Sequence, residues 1–256
     1  MTWLFHAGVV ELGYTRDSKS RAREGLRVRL PPPAPQKSRA NRPLKEFVWT
    51  PKLAYAVGLL TTDGNLSKDR RHLTLRSSDR GLLEVFRSCL AIRNNKISRT
   101  WNDGYAKRPC YRIQFSNVQF YDWLLTIGLT PAKTHTLEAL KIPDEYFRDF
   151  LRGHLDGDGS IISYEDSYNT FKNPKYVYTR LWVKFCSASR PHVAWLSDTT
   201  SGLLGIRGHL NRANRTGNLW CLKFGKHDSI KLLAWLYHDP SVPCLKRKRE
   251  IAEKFI

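Results

Sequence analysis

The sequence predicts an α+β fold built from two similar halves. Two segments recur: LTLRSSDRGLLEVF (73–86) matches VKFCSASRPHVAWL (183–196), and YRIQFSNVQFYDWLL (111–125) matches WCLKFGKHDSIKLLAWL (220–236). In each copy, apolar and polar residues first alternate, as in a β-strand, and the apolar residues then recur at the spacing of an amphipathic helix. Because the repeat covers whole secondary-structure units, it indicates a duplicated architecture.

Each half begins with an apolar stretch that ends in acidic residues and glycine. AVGLLTTDG occupies residues 56–64, and LRGHLDGDG occupies residues 151–159, roughly 95 positions later. Negative charge at the C-terminal end of a helix is unfavourable by up to about 1 kcal/mol. Such a local fault is typical of places where a cation or a reaction uses the charge. We therefore expect a functional site where these two helices end.

The first half reads as helix, strand, helix, two strands and helix. Residues Leu53, Ala56, Val57 and Leu60 recur at helical spacing, and this helix is expected to end at Asp63. The remaining elements are predicted as a strand at 72–78, a helix capped by Ser78 or Asp79, strands at 96–101 and 110–116, and a helix at about 118–127.

The second half repeats this order with one difference. Its elements are predicted as a helix at 146–156, a strand at 178–189, a helix with Pro191 in its first turn, strands at 205–210 and 218–225, a helix from 227 to 238 and a final basic helix from 245. About fifteen extra residues, 163–177, stand between the acidic stretch and its strand. Their Tyr, Lys and Asn content predicts an extended hairpin.

The composition indicates a nucleic-acid partner. The chain has 256 residues, with 43 Lys and Arg against 23 Asp and Glu, for a formal net charge of +20. Residues 1–50 hold ten basic and four acidic side chains, so most of the excess belongs to the rest of the chain. A charge of this size favours a polyanionic partner.

Other classes are disfavoured by what the sequence lacks. The five cysteines show no CxxC spacing, which argues against a zinc knuckle or a disulfide scaffold and favours a reducing compartment. The sequence has no signal peptide, no apolar run of membrane-spanning length and no glycine-rich phosphate loop. We expect a soluble protein of the cytoplasm, phage-infected cell or organellar matrix that uses neither a membrane nor a nucleotide cofactor.

The N-terminal residues 1–46 are unlike the rest. They are basic, contain PPPAP and follow no sustained period, which predicts a disordered arm. Two origins stay open. The arm could contact phosphate, or the run TRDSKSRAREGLRVRLPPPAP could be the translation of an overlapping transfer-RNA gene, whose conceptual translation it resembles.

The two acidic stretches resemble the signature motifs of the LAGLIDADG homing endonucleases in their single-chain, two-motif form. The resemblance covers about residues 48–256, and the second motif is the more specific one because IPDEYFRDF precedes it and GSI follows it. It implies an α+β fold of two pseudo-symmetric αββαββα repeats, whose antiparallel sheets form a saddle over a central pair of signature helices. The implied halves are 47–141 and 142–256.

The resemblance also implies how the motif residues are used. The small residues Ala56, Gly58 and Gly153 would allow the signature helices to pack closely. The last acidic residue of each motif, Asp63 or Asp158, would hold Mg²⁺ (or Mn²⁺) at a scissile phosphate, together with the neighbouring Thr62 and Gly157. The sixth position of the motif is Thr61 in the first half and Asp156 in the second. Because the two halves differ there, Asp156 is expected to have a supporting role.

Basic residues complete the implied site. By their position after the last helix of each half, Lys133 and Lys248 are the candidates for stabilising the reacting phosphate, with Lys246 and Arg247 as rivals. Contact with a DNA phosphate is the alternative for each. His154 is expected to be structural, and the other histidines, including His192, are expected to be at the surface or on phosphate.

The strands supply candidate DNA contacts, since alternating polar residues suit readout of the major groove by a β-ribbon. Such alternation also describes any half-solvated sheet. The candidates are Arg76, Arg112, Gln114, Lys184, Trp182 and Lys223.

The resemblance predicts a monomeric, Mg²⁺-dependent endonuclease that cuts double-stranded DNA, carried by an intron or another mobile element. Two alternatives remain: an RNA maturase or DNA-binding regulator without catalysis on the same fold, and a basic nucleic-acid-binding domain in which DGDG only ends a helix.

Overall fold

The described residues of the first half form three helices and four strands. A computed structural model describes residues 46–100, 109–213 and 217–256; the predicted N-terminal arm lies outside these ranges, apart from Glu46. The elements of the first half are α1 (Pro51–Thr62), β1 (Gly64–Leu66), β2 (His72–Ser77), α2 (Arg80–Cys89), β3 (Ile97–Thr100), β4 (Cys110–Ser116) and α3 (Val118–Thr126).

The second half repeats this order and adds a short terminal helix. Its elements are α4 (Asp144–Asp158), β5 (Ser160–Asp166), β6 (Tyr178–Ser187), α5 (Arg190–Leu204), β7 (His209–Arg212), β8 (Trp220–Phe224), α6 (Lys226–Leu236) and α7 (Lys246–Ala252). β5 and β6 form the predicted hairpin, with turns across residues 167–177.

The two sheets have the same topology. Each has four antiparallel strands, in the orders β1-β2-β4-β3 and β5-β6-β8-β7. The predicted α+β fold of two αββαββα repeats is therefore confirmed. Both helices that follow the second strand of a half start at the expected residue, and Asp79 caps α2 by accepting a hydrogen bond from the Gly81 N–H at 3.0 Å.

The element-by-element prediction was incomplete at three strands. It omitted β1, whose three residues are too short to show a period, and β5, which overlaps the predicted extra segment. It also placed a strand at 205–210, whereas β7 covers His209–Arg212. The reason is Gly205, whose φ of 63° ends α5 in the left-handed conformation, so the chain needs several more residues before it joins the sheet.

The core runs continuously through both halves because α1 and α4 pack against each other at its centre. Nine of the twelve residues of α1 are buried, from Leu53 to Thr61. Each sheet turns one face to this core, through buried residues such as Leu73 and Leu75 in the first half and Val183 and Phe185 in the second. Within the described residues, no helix is long and apolar enough to cross a membrane. This arrangement brings the acidic ends of α1 and α4 together.

Candidate active site at the paired helix ends

Two glycines let the backbones of α1 and α4 touch. A methyl group added to Gly58 would lie 2.2 Å from the Phe150 carbonyl oxygen, and one added to Gly153 would lie 2.1 Å from the Tyr55 carbonyl oxygen. No real side chain fits at such distances, so glycine is required at both positions. Ala56, the third small residue predicted at this interface, is fully buried in α1.

The helices remain in contact down to their acidic ends. Thr62 and Gly157 hold the same motif position in the two halves, and a methyl group on Gly157 would lie 2.0 Å from Thr62 Oγ1 and 2.9 Å from Asp63 Oδ2. The Thr62 hydroxyl donates to the Leu59 carbonyl oxygen at 3.0 Å, which holds this side chain against its own helix. The structure thus brings together the residues predicted to hold metal, one set from each motif.

The two motif carboxylates interact electrostatically. Burial, and then the nearby charge of Asp158, raise the pKa of Asp63 to about 7. Desolvation by surrounding protein also raises the pKa of Asp158, although part of that side chain is open to solvent, while Lys133 and Lys248 oppose the shift. Two carboxylates that resist ionisation together at a pair of helix C-termini form a site where a positive charge is favourable.

The two predicted lysines hold equivalent places in the two halves. The Lys133 ammonium donates to the carbonyl oxygen of Gly64, and the Lys248 ammonium donates to that of Gly159 at 2.8 Å. These glycines directly follow Asp63 and Asp158. Lys248 additionally donates to the carbonyl oxygens of Leu155 and Asp156. Both lysines are buried, and burial lowers the pKa of each, to about 8 for Lys248.

The rivals of Lys248 do not reach the motif. Lys246 and Arg247 are exposed, and Arg247 Nε lies 3.5 Å from Asp79 Oδ2, the cap of α2 in the first half. Of these three neighbouring basic residues, only Lys248 has its side chain directed at the end of α4.

For Asp63 and for Asp158, the lysine of the opposite half lowers the pKa more than the lysine of the same half. Lys133 exerts the larger lysine effect on Asp158, and Lys248 the larger one on Asp63. Lys133 and Asp158 also line a common cavity of about 460 Å³ with Thr62, Lys184 and Cys186. The centre around Asp158 is therefore assembled from both halves, which the motif spacing could not indicate.

Asp156 has a different environment from Asp158. Its side chain is only 1% exposed, and its Oδ2 accepts hydrogen bonds from the Tyr55 hydroxyl and from the Leu245 N–H, both at 2.7 Å. Burial raises the pKa of Asp156. The opposite residue, Thr61, donates to the Val57 carbonyl oxygen within its own helix at 2.8 Å. Asp156 thus ties α4 to α1 and to the start of α7, in keeping with a supporting role.

The expectation that His192 lies at the surface or on phosphate is wrong. His192 is fully buried on α5, and its Nε2 lies 3.1 Å from Nε2 of His154 on α4. Its Nδ1 lies 2.9 Å from the Glu138 carbonyl oxygen and must donate to it, so His192 Nε2 accepts and His154 Nε2 donates. Neither histidine had a sequence signal for this contact, because the partners lie 38 positions apart.

The predicted DNA contacts of the first half lie side by side. Arg76 on β2 pairs directly with Arg112 on β4, and Gln114 stands two residues further along β4. Alternate strand residues share a face, and the intervening Leu75 and Ile113 are buried in the core. The three polar side chains therefore occupy the sheet face that is turned away from the core.

The corresponding face of the second half carries the other three candidates. Lys184 on β6 pairs with Lys223 on β8, and the Lys223 ammonium lies 3.8 Å from the ring centroid of Trp182. Lys184 also lines the cavity that contains Asp158. The polar face of this sheet is thus continuous with the end of its motif helix.

The donor set at the helix ends fits a hard divalent cation. Carboxylate oxygens are the protein ligands that Mg²⁺ and Ca²⁺ prefer, and Asp63 and Asp158 supply them beside each other. Within the described residues, no group of three or more His, Cys, Asp and Glu side chains is placed so that it could hold a metal ion. Further ligands at this position would have to be backbone carbonyl groups, water or a bound phosphate.

Solved structures with this fold include homing endonucleases. The meganuclease I-SmaMI aligns at a TM-score of 0.56 and 10% identity over 81% of this chain and 87% of its own. Variants of the homing endonuclease I-DmoI align at 0.53 and 15% identity over 79% and 97%. Full-length DUF199/WhiA from Thermatoga maritima aligns at 0.50 and 14% identity over 83% of this chain, which spans 62% of the WhiA chain.

The chain therefore has the LAGLIDADG homing endonuclease fold, which confirms at the level of fold the resemblance seen in the motifs. No protein-family model matches the sequence, and no curated protein matches it.

Proposed function

We propose that this protein is a site-specific, Mg²⁺-dependent (or Mn²⁺-dependent) endonuclease that cuts double-stranded DNA as a monomer. The observation that carries the proposal is the convergence of Asp63 and Asp158, one from each half, with a buried lysine beside each. A paired arrangement suits one cut in each strand of a duplex.

The divalent ions would activate water and neutralise the leaving oxygen in phosphodiester hydrolysis. In this proposal Asp63 and Asp158 hold the ions through oxygen, with Thr62 and Gly157 adjoining them. Lys133 and Lys248 place a positive charge beside the reacting phosphate. Their hydrogen bonds to the carbonyl oxygens of Gly64 and Gly159 hold the two ammonium groups in position.

The sheets would position the duplex. Arg76, Arg112 and Gln114 in one half and Trp182, Lys184 and Lys223 in the other occupy polar sheet faces adjoining the helix ends. Such faces suit contact with phosphates and base edges in the major groove. Among structures of the same fold, I-SmaMI has been solved bound to DNA, and I-DmoI in complex with DNA and calcium.

The deciding experiment is cleavage of a plasmid that carries the DNA flanking the gene, with Mg²⁺ and with EDTA. We expect the plasmid to be linearised in the reaction with Mg²⁺ and to remain uncut in the reaction with EDTA. Asp158→Asn should retain DNA binding and lose cleavage, because the amide supplies no negative charge for the ion. Lys246→Ala, at a nearby exposed lysine, serves as the control and should still cut. Full cleavage by Asp158→Asn would disprove the metal assignment.

A binding protein without catalysis, such as an RNA maturase or a DNA-binding regulator, is the second candidate. One observation favours it: the Lys248 ammonium donates to three carbonyl oxygens and is thereby engaged in holding α4. Tight binding of the flanking DNA, with no cleavage under any divalent metal, would establish this alternative.

A further inference from the structure

The β5–β6 hairpin carries an unusual concentration of exposed aromatic residues. Eleven large hydrophobic side chains are exposed in the part of the chain that the structure describes, and seven of them lie within residues 162–178. We call this segment the aromatic hairpin. Its exposed members are Ile162, Tyr164, Tyr168, Phe171, Tyr176, Val177 and Tyr178. Exposed apolar side chains gathered in this way mark an interaction surface.

The fold itself does not require these rings. Tyr168 is 81% exposed and Phe171 is 74% exposed, and both lie in the turns beyond the last paired residues of the hairpin, Asp166 and Tyr178. The two rings meet edge to face, with their centroids 6.2 Å apart. A contact of this kind leaves most of both rings open to solvent.

Between the equivalent strands of the first half, β1 and β2, the described residues contain no counterpart. Its β1 has only three residues, and the connection from Ser67 to Arg71 contains no aromatic residue. The aromatic hairpin therefore belongs to one half of a pseudo-symmetric molecule. A feature needed only to complete the fold would be expected in both halves.

Cations accompany the rings along the hairpin. The Arg180 guanidinium lies 5.8 Å from the ring centroid of Tyr178, and Lys172 Nζ lies 5.5 Å from that of Phe171. Further down the sheet, Tyr164 contacts Trp182, which in turn contacts the Lys223 ammonium. Rings interleaved with cations are suited to nucleotides, since bases stack on the rings and phosphates pair with the cations.

The outer part of the hairpin favours bases over phosphates. Its acidic residues Glu165 and Asp166 balance Lys172 and Lys175, so residues 162–178 carry no net charge. Affinity at this end must therefore come from ring contacts. In a duplex the bases are already stacked on each other and present only their edges in the grooves. An unpaired base has a free face of its own and can stack directly on an exposed ring.

We propose that the aromatic hairpin binds unpaired nucleotides of a DNA strand whose duplex part lies on the adjoining sheets. The inference rests on the proposed function in one respect, that the partner is DNA. β5 begins beside Asp158 and has seven residues, so its far end lies about 20 Å from the helix ends. The unpaired nucleotides would thus lie about six base pairs from the carboxylates, at roughly 3.4 Å per pair.

The test compares binding to a duplex and to the same duplex with a single-stranded extension, measured by fluorescence anisotropy in EDTA. The wild-type protein should prefer the extended DNA. The double variant Tyr168→Ala, Phe171→Ala should lose at least about tenfold in affinity for the extended DNA and little for the blunt duplex, since each stacked base contributes substantially. The ring-preserving double variant Tyr168→Phe, Phe171→Tyr should retain the preference.

Salt dependence separates stacking from charge. The Ala double variant should leave the slope of log affinity against log salt unchanged, whereas Lys223→Ala should reduce it, because only the latter removes a cation able to pair with phosphate. Leu203→Ala, at an exposed apolar residue on α5, should change neither affinity nor slope.

Several results would overturn the proposal. Equal losses for blunt and extended DNA would indicate groove contact, and tighter binding of an RNA extension than of a DNA extension would indicate RNA as the partner. Wild-type self-association that the Ala double variant abolishes would indicate a second copy of the chain. Because these measurements use EDTA, a protein that never cuts DNA could still show the predicted preference, so failure of cleavage and failure of this proposal are distinguishable.

Discussion

The Tyr55 hydroxyl on α1 donates a hydrogen bond of 2.7 Å to Asp156 Oδ2 on α4, and this bond joins the two halves of the molecule. The same oxygen accepts from the Leu245 N–H, which leads directly into α7 and Lys248. One carboxylate therefore fixes the spacing of the signature helices and the helix that carries a candidate catalytic lysine. Asp156 acts by positioning other groups, whereas Asp63 and Asp158 face the candidate site.

Tyr55→Phe should lower the free energy of unfolding by about 1 to 3 kcal/mol, because a buried carboxylate loses one of its two donors. Chemical denaturation measures this loss. Tyr237→Phe is the matched control: Tyr237 is also buried, and its hydroxyl has no hydrogen-bond partner within the described residues. An equal loss in both variants would mean that the Tyr55 bond contributes nothing specific.

Gly58→Ala should destabilise the protein by about 3 kcal/mol, since the new methyl group would lie 2.2 Å from a backbone carbonyl oxygen of α4 and the helices would have to separate. Gly202→Ala tests the same change in α5, where nothing lies within 4 Å of the added methyl group. That variant should be more stable than wild type by about 0.5 to 1 kcal/mol, because alanine favours a helix over glycine. Thermal unfolding of the two variants would reveal opposite shifts, and shifts of the same sign would contradict the close packing.

The His154–His192 pair should make stability fall in mild acid. Burial, followed by the charge of Lys133, lowers the pKa of His192 to about 4. Burial, His192 and Lys248 lower the pKa of His154 as well. Between about pH 6.5 and 4 the unfolded chain therefore binds protons that the folded protein cannot. The stability that the pair contributes is fully present above pH 6.5 and declines as the pH falls towards 4, by about 3 kcal/mol for His192 alone.

Denaturation curves across this pH range measure the decline. His192→Gln should make the decline smaller than in the wild type, because it removes a histidine whose pKa burial lowers. A decline that is as steep in His192→Gln as in the wild type would show that the pair is not held neutral.

Cys186 and Cys221 should form a disulfide under diamide. They are direct partners on β6 and β8, and their sulfur atoms lie 2.7 Å apart. The two thiols lose two protons and two electrons, which reduce the azo group of diamide to a hydrazine. Burial raises the pKa of Cys186 to about 12, so the reaction should be slow at neutral pH and faster in alkaline buffer, because the thiolate is the nucleophile.

Intact mass and thiol alkylation follow this reaction. Cys186→Ser should abolish the cross-link, while Cys244→Ser, which removes a thiol elsewhere in the chain, should not affect it. If Cys186→Ser still lost two alkylatable thiols under diamide, the disulfide would have to join other cysteines.

The duplicated α+β architecture could be predicted from local features of the sequence. The repeat of whole strand and helix units, the two acidic stretches and the caps such as Asp79 are local features, and local propensity and periodicity report them directly. The same is true of the small residues in the motifs, because a glycine inside an apolar helix is a visible departure from helix preference. The excess of basic residues likewise indicates a polyanionic partner, because net charge depends on residue types and not on where each side chain lies.

Which side chains contact each other depends on the tertiary structure. Asp156 accepts a hydrogen bond from Tyr55, which lies 101 positions away in the sequence. His192 contacts His154, and Lys133 of the first half lowers the pKa of Asp158 in the second half. The three-residue strand β1 and the longer strand β5 exist because each pairs with a neighbouring strand. The physical reason is common to all of them. A hydrogen bond, a charge interaction or a strand pair between distant segments depends on how the chain brings them together, and the residue types alone do not encode that distance.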